Sequence, residues 1–290
     1  PEGISTSPTS PYFFTTGSTN STIFLGSLTA PTLTPFIPSH TIPGLTISYG
    51  QKLTRNNHLI LAGGESGRVF IIDTVSKTLL QRYDNGLSET LLNDVAVDEG
   101  TGDVYVTDTK ARCVWRLRGE DIGEGKPVEG GLERWVDIAG GLVSGINGIV
   151  VVPGGYMIVG DMLGGCLWSV KIATREVMKV DTGLLSFIGF PDGLLYSAPY
   201  LYAVNGVHPL DLSLTDVITV LELLPPYKTG KVVGRITNPL LDQPSTIAFV
   251  PGTEEKELLV VNYQVCFDSR AADGEREGWV QSRLTGNLVA

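Results

Sequence analysis

The chain repeats one short pattern six times, and this repeat limits the possible folds more than any other feature. Each copy contains two β-rich runs joined by a turn, as in residues 93–97, the turn at 99–102 and residues 104–108. Successive copies lie about 48 residues apart, which is the spacing of propeller blades. The copies begin at Glu2, Ser48, Asn93, Asn147, Asp192 and Ser245.

Further β-rich runs follow the first two in the clearest copies. Residues 113–117 and 166–170 predict a third strand, and residues 134–137 and 176–180 predict a fourth. Four strands make one blade, and no segment shows sustained helical periodicity. The sequence therefore predicts an all-β chain that forms a single six-bladed β-propeller domain over residues 1–290, with four antiparallel strands per blade.

Composition excludes several classes of protein. Hydrophobic residues make up 42% of the chain and charged residues 18%, which is typical of a globular protein. The net charge of −10 argues against a nucleic-acid partner and against docking on anionic membranes. No apolar run is long enough to predict a membrane span. The three cysteines leave at least one thiol outside any intramolecular disulfide, and none of them has zinc-ligand spacing.

The two ends of the chain carry weaker signals. The sequence starts at Pro1 inside the first repeat, and Asn20-Ser21-Thr22 is an N-glycosylation sequon. These features favour a removed leader and the secretory pathway, with the cytoplasm as the alternative. At the other end, we expect residues 279–281 to complete the first blade and join the ends of the propeller. The sequence specifies no oligomeric state.

The residues that open the repeats should converge on one mouth of the central channel. The first strand of each blade lines the channel, and all six first strands begin at the same end. Glu2, Asn93, Asn147 and Asp192 supply hard oxygen ligands of the kind that Ca²⁺, Mg²⁺ or Mn²⁺ prefers. The same residue types also favour turns, so turn chemistry alone is the competing interpretation.

The loops at this mouth add candidates for contact with a hydrophobic small-molecule substrate. Lys110 could donate a hydrogen bond to a substrate carbonyl. The segments 184–190 and 239–241 are apolar, which suits a hydrophobic ligand better than a sugar lactone. Together with two of the repeat openers, the predicted substrate-binding residues are Ser48, Arg112, Phe187, Phe190, Asn205, His208, Ser245, Asn262 and Tyr263.

The openers and their neighbours resemble a known family. Pro1-Glu2-Gly3, Asn93-Asp94, Asn147-Gly148 and Pro191-Asp192-Gly193 are similar, in order and spacing, to the metal-binding positions of the regucalcin/gluconolactonase family. The resemblance spans nearly the whole chain. It implies that Glu2, Asn147 and Asp192 would hold a divalent ion, that Asn93 would sit beside substrate, and that Asp192 would be the base of a lactonase. The chain departs from that family in residues 104–109 and in lacking arginines on the first strands.

A second resemblance is to a fungal branch of the same superfamily encoded in natural-product clusters. It rests on residues 145–149, 159–161 and 165–168. Some members are hetero-Diels–Alderases that join a tropolone-derived o-quinone methide to a humulene-type terpene. The resemblance implies a cyclase without a cofactor, in which Asn93, Asn147 or Lys110 would polarise the quinone methide carbonyl. Fixing the orientation of two reactants can contribute ~7–11 kcal/mol, and a dry pocket would protect the intermediate from water.

Three functional hypotheses follow from the sequence. The first is the cyclase of fungal secondary metabolism, which the apolar mouth loops place slightly ahead. The second is a divalent-metal-dependent lactonase or esterase, which the ring of oxygen donors favours. The third is a propeller that binds a protein or small ligand without catalysis, since this fold hosts many unrelated functions.

Overall fold

The computed structural model describes residues 2–7, 10–17, 20–123, 126, 129–138, 140–141, 144–183, 188–206, 216–252, 257–262 and 282–285. These residues form an all-β propeller in which one 3₁₀ turn at Gly119–Asp121 is the only helical element among the residues described. No helix in the described ranges is long and apolar enough to cross a membrane.

The strands form six sheets in chain order. The first sheet contains β1 (Ile4–Thr6), β2 (Tyr12–Thr16), β3 (Ile23–Ser27) and β4 (Ala30–Ile37), and the second contains β5 (Gln51–Leu53), β6 (His58–Ala62), β7 (Arg68–Asp73) and β8 (Thr78–Asp84). The third contains β9 (Leu92–Val97), β10 (Val104–Asp108), β11 (Cys113–Leu117) and β13 (Glu133–Asp137), while β12 (Glu129–Gly131) joins the second sheet. The fourth contains β14 (Ile146–Val152), β15 (Tyr156–Asp161), β16 (Cys166–Lys171) and β17 (Glu176–Lys179). The fifth contains β18 (Leu194–Ser197), β19 (Tyr200–Asn205), β20 (Val217–Leu223) and β21 (Gly230–Thr237), and the sixth contains β22 (Pro244–Phe249), β23 (Glu257–Asn262) and β24 (Ser282–Thr285).

The first strands of the six sheets form a closed ring around the channel. Each of β1, β5, β9, β14 and β18 contacts the first strand of the next sheet, and β22 returns to contact β1. A separate hydrophobic cluster fills each of the six gaps between neighbouring sheets. In the gap that closes the ring, Ile4 and Phe13 of the first sheet pack on Ala248 and Leu259 of the sixth.

An aspartate at the end of the second strand fastens the incoming loop in two of the sheets. Asp108 at the end of β10 is fully buried and accepts hydrogen bonds from the Leu91 N–H (2.9 Å) and the Trp115 indole N–H (3.1 Å). Asp161 at the end of β15 accepts a similar bond from the Trp168 indole N–H (3.3 Å). The third-strand tryptophans of the repeat therefore have a polar partner as well as a packing role.

Three details differ from the sequence-based prediction. The second sheet has a fifth strand, because β12 pairs with β8 in parallel orientation at Glu129 to Arg82. The sixth sheet has three strands in the described part of the chain. The first sheet is complete from residues 4–37, and the last described strand, β24, pairs with β23 of the sixth sheet. The expected strand at residues 279–281 lies outside the described residues.

Candidate functional site

Five polar side chains meet where the first strands begin. They line a narrow cavity of about 20 Å³, which continues along the axis into a wider channel section of about 340 Å³. Asp94 lines both sections. Asn93 and Asn147 are buried, whereas the three carboxylates are partly exposed to the channel. The five residues are Glu2, Asn93, Asp94, Asn147 and Asp192.

A chain of backbone hydrogen bonds between first strands places these side chains. The N–H of Gly50 donates to the Asn93 carbonyl (2.6 Å), and the N–H of Gly148 donates to the Asp192 carbonyl (2.8 Å). Such close approach requires glycine, because a Cβ on Gly148 would stand 2.2 Å from the Asp192 carbonyl oxygen. The Ser245 hydroxyl donates to the Glu2 carbonyl (3.1 Å) and so links the sixth sheet to the first.

Burial raises the pKa values of all three carboxylates, and charge repulsion within the cluster adds to the rise for Glu2 and Asp192. Burial raises the pKa of Asp192 well above its ordinary value, and the charges of Glu2 and Asp94 raise it further. Burial also raises the pKa of Glu2 to about 7, with a contribution from Asp94. The pKa of Asp94 is raised to about 6 by burial, although two backbone N–H groups and Lys52 oppose the rise. The cluster therefore holds protons at neutral pH or attracts a cation.

The two asparagines turn their amide nitrogens toward protein acceptors. The Asn147 Nδ2 donates to Asp192 Oδ1 (2.6 Å), and the Asn93 Nδ2 donates to Thr109 Oγ1 (3.0 Å). Among the described residues, no hydrogen-bond donor contacts the amide oxygen of Asn93, the amide oxygen of Asn147 or the carboxylate of Glu2. These amide and carboxylate oxygens are therefore available to bind a ligand.

This donor set fits a hard divalent cation. The Glu2 carboxylate, the second oxygen of Asp192 and the Asn147 amide oxygen are neighbours in one cavity. Across the described ranges, no three His, Cys, Asp or Glu side chains stand close enough to hold a metal among themselves. An ion at this mouth would therefore need an amide oxygen beside two carboxylates, a combination that Ca²⁺ and Mg²⁺ accept.

Asp94 is a site residue that was not predicted from the sequence. Its two carboxylate oxygens accept hydrogen bonds from the N–H groups of Val95 (2.8 Å) and Ile149 (3.0 Å), so it bridges the third and fourth sheets. Glycine occupies the equivalent position in four of the other first strands, at Gly3, Gly50, Gly148 and Gly193. An aspartate at a repeat position that is glycine in four other copies was the signal that could have identified it.

The two serines that were predicted to open repeats, Ser48 and Ser245, differ in whether they line the cavity. The Gly50 hydrogen bond corresponds to that of Gly148, so Tyr49 and not Ser48 occupies the position equivalent to Asn147. Ser48 lies one residue earlier, is fully buried, and does not line the cavity. The prediction that placed Ser48 in the ring is therefore wrong by one residue. Ser245 does line the cavity.

The two asparagines at the ends of second strands face the protein interior. Asn205 is 1% exposed, and its amide nitrogen donates to the Ala203 carbonyl (3.0 Å) and to Thr219 Oγ1 (3.2 Å). Asn262 is 3% exposed and bonds the backbone of Asp242 and Leu240. Both end a second strand as Asp108 does. Asn262 fastens the loop before β22, whereas Asn205 bonds within its own sheet, and neither lines the cavity as predicted.

The two predicted basic residues lie away from the cavity. Lys110 extends across the surface to Glu65 of the preceding sheet, with 2.7 Å between Nζ and Oε1. Arg112 is exposed and adopts a positive φ of 52° in the turn before β11. Neither residue lines the cavity, so Lys110 lies outside the site in which it was predicted to act as a hydrogen-bond donor.

The remaining predicted contacts belong to segments around Asp192 and the mouth loops. Phe190 is half-buried two residues before Asp192. Phe187, His208 and Tyr263 lie outside the described residues.

Comparison with known proteins supports the fold. No protein-family model matches the sequence, and no curated protein matches it significantly. Among solved structures, a gluconolactonase from Xanthomonas campestris aligns with 90% of this chain and 82% of its own at a TM-score of 0.64 and 15% identity. A virginiamycin B lyase from Staphylococcus aureus aligns with 86% of this chain and 73% of its own, at 0.59 and 11%. A structure of a nidogen/laminin complex covers 84% of this chain and 82% of its own, at 0.62 and 14%. The chain is thus similar in fold to gluconolactonase-type propellers and to propellers of other functions.

Proposed function

We propose that the chain is a six-bladed propeller enzyme, one domain over residues 1–290, that hydrolyses a lactone or ester at the mouth of its channel. The observation that carries the proposal is the convergence of Glu2, Asp94 and Asp192 with two asparagines in one narrow cavity. Perturbed carboxylates that cluster in a concave site are typical of acid–base or metal chemistry. The likeness in fold to a gluconolactonase supports the same reaction class.

A divalent cation is the proposed cofactor, with Glu2, Asn147 and Asp192 as its ligands. When bound, such an ion would polarise the carbonyl of the substrate as a Lewis acid. Binding would also offset the burial of charge and the carboxylate repulsion that together raise the pKa values of Glu2 and Asp192.

The protein's own groups would orient the substrate and move the proton. Asn147 donates its amide N–H to Asp192 Oδ1 and so holds the carboxylate in one orientation, from which Asp192 would accept a proton from the attacking water. The Asn93 amide is held by Thr109 at the edge of the same cavity, where it can position the carbonyl group of the substrate. Asp94 keeps negative charge near the base and thereby raises the base's proton affinity.

The test combines activity with metal dependence. We expect lactone hydrolysis by the purified protein to fall in EDTA and return with Mn²⁺ or Ca²⁺. Asp192→Asn should lower kcat by about 10²–10⁴-fold, the usual contribution of a general base. Glu176→Gln, an exposed change on β17, is the matched control. An active Glu2→Ala, Asp192→Ala double variant would refute the proposal.

A cofactor-free cyclase of the hetero-Diels–Alderase type is the second candidate, acting on a tropolone-derived o-quinone methide and a humulene-type terpene. It is favoured by exposed leucines in loops on the same side as the site, Leu163 at 39% and Leu240 at 50%. This reaction needs no nucleophile, so the cyclase would keep activity in EDTA and lose only part of it in Asp192→Ala. Activity in EDTA and activity of Asp192→Ala therefore separate the two candidates.

A further inference from the structure

The loop after β15 brings apolar side chains up to the edge of the carboxylate cluster. The sulfur of Met162 lies 3.7 Å from the Asn147 Nδ2, the same nitrogen that holds Asp192. The backbone N–H of Met162 donates to the Gly145 carbonyl (3.0 Å), which fixes the loop beside the start of β14. Met162 is thus a direct neighbour of the reacting groups.

Leu163 continues this apolar surface outward. Its Cδ1 lies only 2.8 Å from where a Cβ of residue 145 would stand, so Gly145 leaves the space that the leucine occupies. Even so, Leu163 is 39% exposed, in the loop that follows β15 at this mouth. Phe190 lies half-buried on the segment that leads into Asp192.

The cavity is too narrow to take a whole sugar ring. Its described lining contains no lysine or arginine and does include Gln51, Ser245 and Thr246, but at about 20 Å³ it admits the reacting group and leaves the rest of a substrate against the loop after β15. A polyhydroxylated substrate would leave its hydroxyl groups against Met162 and Leu163 without hydrogen-bond partners, at a cost in affinity. An alkyl chain would instead remove these side chains from water.

We infer that Met162 and Leu163 select substrates in which an apolar chain is attached to the lactone ring or to the ester group that reacts. The inference rests on the proposed function for the nature of the reacting group. It adds the substrate class: alkyl-substituted lactones or apolar esters rather than sugar lactones.

The experiment measures binding separately from turnover. We would titrate the protein calorimetrically with γ-lactams that carry ring alkyl chains of increasing length, since lactams mimic lactones and resist hydrolysis. Affinity should rise with each added methylene by up to about fourfold, the value for complete burial of a methylene. Gluconolactam should bind more weakly than any alkyl lactam.

Variants assign the effect to the loop. Met162→Gln keeps the length of the side chain and a hydrogen-bond acceptor for Asn147, and Leu163→Ser shortens an exposed residue; each should flatten the dependence on chain length. Leu224→Ser is the control, because Leu224 is 53% exposed and follows β20 on the opposite face.

The outcomes separate this inference from the proposed function. Chain-length dependence without lactone hydrolysis would refute the hydrolase and keep the ligand class. Hydrolysis with equal or better use of gluconolactone would overturn the apolar selectivity alone. Failure of every lactam to bind, or an unchanged series in both loop variants, would also overturn it.

Discussion

Replacing Glu2 with glutamine should stabilise the protein, and the gain should depend on pH. The carboxylate of Glu2 accepts no hydrogen bond from the described residues, and burial raises its pKa from 4.5 to about 7. A carboxylate with a raised pKa in the folded state costs stability once it is ionised. Glutamine has the same shape without the charge, so Glu2→Gln removes that cost and leaves the packing intact.

The size of the effect follows from the same values. A rise from 4.5 to about 7 corresponds to about 3 kcal/mol at about 1.4 kcal/mol per pH unit. Because Glu2 is partly exposed, water screens the charge, and we expect about 2 kcal/mol at pH 8.5. The folded state retains the proton between pH 4.5 and 7 while the unfolded state has lost it. The gain should therefore grow through this window, level off above pH 7, and be about a quarter as large at pH 5.

Thermal unfolding in EDTA at low salt gives the measurement. For a chain of this size, about 2 kcal/mol corresponds to a rise in Tm of about 3 °C at pH 8.5. Adding Mn²⁺ or Ca²⁺ should raise the Tm of the wild type and leave Glu2→Gln nearly unchanged, since a ligand at a hundred times its Kd contributes about 2.7 kcal/mol. A variant less stable than the wild type at pH 8.5 in EDTA, or a gain independent of pH, would show that Glu2 carries no buried charge.

Three further substitutions and one control test the roles assigned above. Asp108→Asn should lower the free energy of unfolding by about 2–4 kcal/mol in urea, because a buried carboxylate that holds two backbone N–H groups and an indole loses an acceptor; an unchanged midpoint would contradict the loop-fastening role. Gly148→Ala should destabilise by at least about 2 kcal/mol, since its Cβ would collide with the Asp192 carbonyl oxygen, whereas Gly141→Ala, with open space around the added Cβ, should be neutral by the same assay. Lys110→Ala should leave both Tm and lactone hydrolysis unchanged, because its partner Glu65 is 70% exposed; lost activity would restore the catalytic role predicted for Lys110.

The repeat could be predicted from the sequence because it is local. Each hairpin carries its own β-rich runs and turn residues, so the strands near residues 93–108 and 146–161 lie where the pattern placed them. The convergence of Glu2, Asn93, Asn147 and Asp192 also followed from topology alone, because antiparallel order fixes which strand ends meet.

The direction of individual side chains could not be predicted in the same way. Asn205 and Asn262 end their strands at the mouth, yet both amides turn inward: Asn205 bonds the neighbouring strand of its own sheet, and Asn262 fastens a loop as Asp108 does. Whether such a residue faces ligand or loop depends on hydrogen bonds to segments distant in sequence. Ser48 illustrates a related difficulty, since a shift of one residue in a degenerate repeat exchanges it for Tyr49.

The way the ring closes ties the candidate site to the last sheet of the propeller. In the described part of the chain, the first sheet and the sixth share no strand. That junction depends on the packing of Ile4 and Phe13 against the sixth sheet and on the hydrogen bond from Ser245 to the Glu2 carbonyl. Because Glu2 stands at this junction, local opening between the two sheets would displace one of the three carboxylates while Asn147 and Asp192 stay bonded to each other. Loss of the Glu2 contribution should therefore precede global unfolding, and a cation that binds Glu2 together with Asp192 would hold the junction closed.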